Sequence, residues 1–197
     1  MKKKKVLTNK KVLDFISETG MLKRVSRSGW SVLGIKNPES VAEHSFRCSV
    51  IGYILAKMEG ADPYQVLIMS IFGDLAEARI TDLHKMAQRY VDARRAEDQA
   101  FKEQIKDLPK PIRDDLSKAA KSYRGQKSPE SIIARDADIL ECLIQAKEYD
   151  EIGYKEAIKF TKKAPKFLKT KSAQKIWELA RKNKLNDWWV KLSEFKR

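Results

Sequence analysis

Two carboxylates stand three residues apart in the stretch IFGDLAEARITD, residues 71–82: Asp74 and Glu77. On a helix, that spacing puts both on one face. Leu67, Ile71, Asp74 and Ala78 then form one stripe, so Asp74 points at the core. A buried carboxylate is costly unless it is paired or binds a metal. His44 repeats the pattern on a stripe of Val41, Cys48, Ile51 and Leu55. Asp138 lies between Ala134 and Cys142, beside the apolar face of Ile133, Leu140, Leu143 and Ile144, with Glu141 one turn on. A histidine and two carboxylates from separate helices can converge on one divalent ion in a bundle core. Such ligands suit Mn, Fe, Co, Ni or Zn. The ion would polarise a phosphoryl oxygen and acidify a bound water. An unligated Glu77 could then activate water or protonate a leaving group. Arg27, in a loop just after Arg24, could clamp a phosphate. A lone histidine on an apolar face is more often a hydrogen-bonded core residue. An isolated loop arginine is more often solvated. The repetition of single inward polar groups on helix after helix is what points to a metal site.

The elements that must carry these residues read as helices throughout. Val12, Phe15, Ile16 and Leu22 recur at helical spacing over residues 11–25. SRSGWSVLGIKNP is a loop carrying Arg27 and Trp30. Ser40-Val41-Ala42-Glu43 is a capping box that starts a helix to about Gly60. Asp62-Pro63 opens the next helix, with proline at its first position, and the pattern carries it through MSIFGDLAEAR. Gly73 is then a mid-helix glycine, at a cost of about 1 kcal/mol against alanine. Residues 82–107 are polar and helical, and Lys110 to Tyr123 form another helix. Ser128-Pro129-Glu130 opens a long helix to about Tyr149. Residues 153–163 and 172–183 form two more, the second capped by Ser172, and NDWWVKLSEF closes the chain with a short one. Trp177, Trp188 and Trp189 are expected to pin this tail to the body. No strand or hairpin signal is present, so the expected class is all-α.

Composition narrows the function. The chain has 197 residues, 42% hydrophobic and 35% charged, which fits one domain with a real core. Its high Lys and Glu content suits a thermophile. The net charge is +14, and it is uneven: residues 2–11 hold six lysines and no acid, and residues 155–197 hold fourteen Lys/Arg against four acids. The intervening body is close to neutral. Basic ends can hold nucleic acid, and the expectation is weak, non-specific binding; a solvated, solubilising surface is the commoner outcome. Cys48 and Cys142 are the only cysteines, without a CxxC motif, which suits a reducing cytoplasm. MKKKKVLTNKK lacks the apolar segment of a signal peptide, and no stretch approaches a membrane span.

LKRVSRSGW, PESVAEH, DLAEARITD and DADILECLIQAKEY occur in that order over residues 12–152. This set resembles the HD-domain phosphohydrolases, and within them the small 5′-deoxynucleotidases. The resemblance implies an HD-domain helical bundle over residues 1–152, with residues 153–197 as basic helices packed on the same domain. It implies one divalent ion, nucleoside 5′-monophosphate substrates and a homodimer. Carried over by motif, His44, Asp74 and Asp138 would ligate the metal and Glu77 would be the catalytic carboxylate. Arg27 would orient the phosphate, and Trp30 and Asp82 would lie near the nucleoside. The departure is Gly73, which stands where the family has the histidine of its HD pair. His84, the only other histidine, is eleven positions beyond Gly73 and would return only if the chain folded back. Lys121 also stands where acids are common. The expectation is therefore a phosphohydrolase with a weakly held metal, or a degenerate HD fold that binds nucleotide or nucleic acid without hydrolysis.

Overall fold

The computed structural model describes the backbone of residues 2–193. Nine α-helices appear among the described residues: α1 (Lys2–Thr19), α2 (Ser28–Ser31), α3 (Val41–Glu59), α4 (Pro63–Ile71), α5 (Glu77–Ile80), α6 (Ala93–Ile105), α7 (Lys110–Gly125), α8 (Pro129–Glu151) and α9 (Lys171–Ala180). Among them there is no strand, only an isolated bridge between Ser26 and Ser40 that pins the two ends of the Arg27 loop. None of the described helices is long and apolar enough to cross a membrane. The all-α expectation holds.

The chain's own caps set the main helices. The Ser40 side chain accepts from the Glu43 backbone and the Glu43 carboxylate accepts from Ser40, so the capping box forms as predicted. Gly60 ends α3 at φ 72°, a left-handed conformation that glycine adopts without a Cβ penalty. Asp62 caps α4 through Tyr64 N, with Pro63 following. Ser128 and Ser131 cap α8 reciprocally. α3, α4 and α8 pack against one another around Leu55, Val66, Met69, Ile133, Ala137 and Leu140. Gly52 permits the close crossing of α3 and α4, since a Cβ there would stand 2.8 Å from Val66 Cγ1.

The tail joins this core by a polar device that hydrophobic periodicity does not signal. Asp136 is 1% exposed and accepts from Lys169 N, Thr170 N and the Thr170 hydroxyl at 2.6–3.0 Å. Glu59 accepts from Ser172 N at 2.7 Å. These carboxylates hold the start of α9, and Leu168, Ala173 and Trp177 complete the core.

Several boundaries differ from the sequence expectation. α4 stops at Ile71, and residues 72–76 form turns before the single turn of α5. Gly73 is thus not a helix-interior glycine. A Cβ on it would lie 2.9 Å from the Met69 carbonyl oxygen, so a side chain here requires the turn to shift. Residues 81–92 are loop with one 3₁₀ turn, and helix begins only at Ala93. Residues 155–162 wind as 3₁₀ rather than α. Thr170, not Ser172, caps α9, because the Ser172 amide is bonded to Glu59. Trp177 is buried, but Trp188 and Trp189 are 75% and 52% exposed, so they do not pin the tail. The closing helix was expected to run to Phe195, and residues 194–197 lie outside the described residues.

Candidate metal centre

The imidazole of His44 is the focus of the site. It projects from the first turn of α3 and is 1% exposed. Its Nε2 lies 3.5 Å from Asp74 Oδ2, in the turn after α4, and 3.3 Å from Asp138 Oδ1, on α8. Three polar groups far apart in the chain thus meet at one nitrogen. Two ligands of a tetrahedral ion bound at about 2.0–2.2 Å sit about 3.4 Å apart, which is the order of each distance from Nε2 to the two carboxylates. The donor set of one imidazole and two carboxylates fits a divalent transition metal. Asp74 and Asp138 keep 31% and 28% of their side-chain surface exposed, so the site opens to solvent on their side.

The remaining atoms of these groups are also held. Glu141, fully buried on α8, bonds His44 Nδ1 and accepts from Arg47 Nε at 2.9 Å. Asp138 Oδ2 accepts from Arg135 at 2.9 Å and from the Tyr123 hydroxyl at 3.4 Å. Such outer partners orient ligands and fix the histidine tautomer. His44, Cys48 and Glu141 form a buried group of donor types close enough for a cation of their own. Cys48 Sγ lies 3.4 Å from Nε2 and 3.8 Å from Nδ1 of the ring. Burial pushes that thiol up to about 12 despite the opposing pull of His44, so it packs as a neutral group.

Electrostatics separate the carboxylates. Burial alone would raise Asp138, but the hydrogen bond and charge of His44, with Arg135 and Arg27, hold it well below the usual range. For Asp74, burial outweighs His44 and Arg27, and the group is raised. Glu77 goes furthest: burial, then Asp74 and Asp82, push it up to about 10. Its Oε2 is buried with no hydrogen-bond partner. A buried carboxyl oxygen without a partner, next to the carboxylate cluster, is an exception to the rule that buried polar atoms are paired.

The loop residues divide. The Arg27 guanidinium lies 3.9 Å from Asp74 and 3.7 Å from Asp82. Burial alone would lower its pKa, and the surrounding Asp74, Asp82, Asp138 and Glu77 raise it instead. Asp82 Oδ2 also accepts from Ser28 N at 2.9 Å, tying the loop to the segment after α5. Thr81 presents Asp82 with a φ of 63°, an unusual conformation for a β-branched residue that costs about 1–3 kcal/mol. Trp30 is 2% exposed, packs edge-on with Tyr149 and tilted on Phe160, and donates to Glu39 at 2.9 Å, so it supports the loop from below. His84 does not return to the site: its Nδ1 accepts from Ala87 N at 3.1 Å, capping a local turn.

A family model described as "HD domain" matches residues 19–179. The chain belongs to the HD-domain family. This HD domain is 28% identical over 145 residues to human "5′-deoxynucleotidase HDDC2", covering 73% of this chain and 71% of that one. Among solved structures it resembles a conserved hypothetical protein from Pyrococcus furiosus, with TM-score 0.75 and 33% identity over 87% of this chain and 99% of the other. It also shares the fold of a predicted metal-dependent phosphohydrolase from Magnetospirillum magnetotacticum, with TM-score 0.72 and 18% identity over 91% and 94% of the two chains.

Within this HD domain, sequence reasoning passed over Arg47, Arg135 and Tyr123, and noted Glu141 without a role. Arg47 follows His44 by three residues, and Glu141 follows Asp138 by three. Charged residues one turn from a candidate ligand, on otherwise apolar helices, were the available signal.

Proposed function

We propose that this chain is a divalent-metal-dependent phosphohydrolase acting on (deoxy)nucleoside 5′-monophosphates, with a weakly held ion. The observation that carries this reading is the convergence of Asp74 and Asp138 on His44 Nε2, flanked by Arg27 and by the unpartnered Glu77. His44, Asp74 and Asp138 would hold the metal, and three protein ligands suffice for many catalytic ions. When bound, the ion supplies Lewis-acid polarisation of the phosphoryl oxygen and acidifies a coordinated water. Arg27 would orient the phosphate through charge-assisted hydrogen bonds. Glu77, protonated in the metal-free site, would hand its proton to the departing 5′-oxygen or, once ionised, take one from the attacking water. Asp82 would hold Arg27 and the loop in register. The absence of a side chain at Gly73 favours a second reading, a domain that binds nucleotide without hydrolysis.

The test is direct. Purified protein is loaded with Mn, Co, Ni or Zn, and phosphate release is measured on a panel of nucleoside and deoxynucleoside monophosphates. Metal-dependent release is expected, with His44→Ala and Asp138→Ala losing both bound metal and activity. A protein fully loaded with metal that releases no phosphate from any member would leave the binding reading in its place.

We also propose a homodimer. The outer face of α3 carries Phe46, Val50, Tyr53, Ile54 and Met58, all 44–66% exposed and at helical spacing. Contiguous apolar stripes of this kind mark interaction sites. Light scattering after gel filtration should give twice the chain mass, and Phe46→Glu with Tyr53→Glu should give the monomer mass. A monomeric wild type at micromolar concentration would reject the dimer.

A further inference from the structure

We infer that Glu141, clamped by Arg47, is a positioning residue that sets the tautomer and angle of His44. This inference rests on the metal reading above, because the atom it aims is the candidate ligand Nε2. A carboxylate can only accept, so its bond to Nδ1 requires the proton on Nδ1. The position open to a cation is then Nε2, which faces Asp74 and Asp138 and whose own proton a bound ion would displace. The tautomer with its proton on Nε2 would turn a donor toward those carboxylates and leave no ligand atom there.

Glu141 is itself held from one side. It is fully buried on α8, and Arg47 reaches Oε1 through Nε at 2.9 Å and through a second nitrogen at 2.8 Å. The same guanidinium accepts no freedom of its own, because it also bonds Glu148 at 2.7 Å and Gln145 at 2.6 Å, both further along α8. Arg47 thus bridges α3 to three residues of α8. Cys48, one turn after His44, contacts Nε2 at 3.4 Å. The imidazole is held at Nδ1 by Glu141. Removing Glu141 would leave Arg47 with Glu148 and Gln145 and take away the acceptor that holds the proton on Nδ1. Loss of an outer partner of this kind weakens metal binding about 10–100-fold.

The chain's two histidines make the test readable by ¹⁵N NMR of the imidazole nitrogens. His84 Nδ1 accepts from Ala87 N and serves as the internal reference for the opposite tautomer. In wild type, His44 Nδ1 should show the protonated-type shift both without metal and after loading with Zn²⁺. Glu141→Gln keeps the shape while allowing its amide to donate. It should mix or invert the His44 tautomer and raise the Zn²⁺ Kd about 10–100-fold by calorimetry. Arg47→Met should give a smaller change in the same direction, and keeps the inference testable if the Glu141 variant does not fold. Unchanged His44 shifts together with an unchanged Kd in these variants would overturn the inference. If wild type takes up no Zn²⁺, the metal reading fails, and the persistence or loss of the hydrogen-bonded His44 Nδ1 proton signal in the variants still decides the role of Glu141.

Discussion

Gly73→His is expected to tighten divalent-metal binding by on the order of 10–100-fold or more, at least the effect of an outer partner, and to raise phosphate release from deoxynucleoside monophosphates. The substitution places an imidazole next to Asp74, where the resembled family carries its own ligand. It is also expected to lower the melting temperature. A Cβ there would stand 2.9 Å from the Met69 carbonyl oxygen, and backbone rather than a flexible side chain must yield. The gain in helix propensity that a mid-helix position would have brought does not apply, since α4 ends at Ile71. Gly73→Ala is the control: it should show the loss of stability without the gain of metal. Adding Glu77→Ala to the histidine variant should cut phosphate release about 10²–10⁴-fold while metal stays bound, because Glu77 is assigned to proton transfer. Calorimetry and a phosphate-release assay read both quantities. If wild type is already saturated and fully active, and histidine changes nothing, the site lacks no ligand. His84 is not the substitute, being committed to its own turn. If the variant gains metal without hydrolysis, the domain binds nucleotide and does not cleave it.

Asp136→Ala should be the most destabilising single change in the tail region. It removes the acceptor of two backbone amides and one hydroxyl at 2.6–3.0 Å. Hydrogen bonds to a charged group contribute about 1.5–3 kcal/mol each, and stranded buried donors cost more. A loss of about 3–5 kcal/mol is expected, or a fall of roughly 10 °C in Tm at about 2–4 °C per kcal/mol for a chain of this size. Asp136→Asn keeps one acceptor oxygen and should recover part of it. Thermal unfolding followed by circular dichroism measures both. Metal affinity should change little, because Asp136 and Asp138 are two residues apart on a helix and face different ways. An unchanged Tm would show that α9 is held by its apolar contacts alone.

The positions of the site residues were legible from one-dimensional pattern because each broke an apolar stripe. His44 among Val41, Cys48 and Leu55 could not be solvated, and Asp138 beside Leu140 and Leu143 stood at the edge of an apolar face. Helix starts were legible for a related reason: Ser40, Asp62 and Ser128 satisfy free amides within three residues of themselves, so local chemistry decides them. Helix ends and partners were another matter. The approach of Met69's carbonyl to Gly73 is a feature of the turn in space, and it means that a side chain at Gly73 must displace backbone. The choice between Ser172 and Thr170 as cap depended on Glu59, more than a hundred positions away. Trp30 and Trp188 are the same residue type, yet one lies under Tyr149 and Phe160 and the other faces solvent. Periodicity reports which side chains must leave water. It carries no record of which distant group meets them, and so the bonds from Glu141 to His44 and from Asp136 to Thr170 were decided by tertiary structure alone.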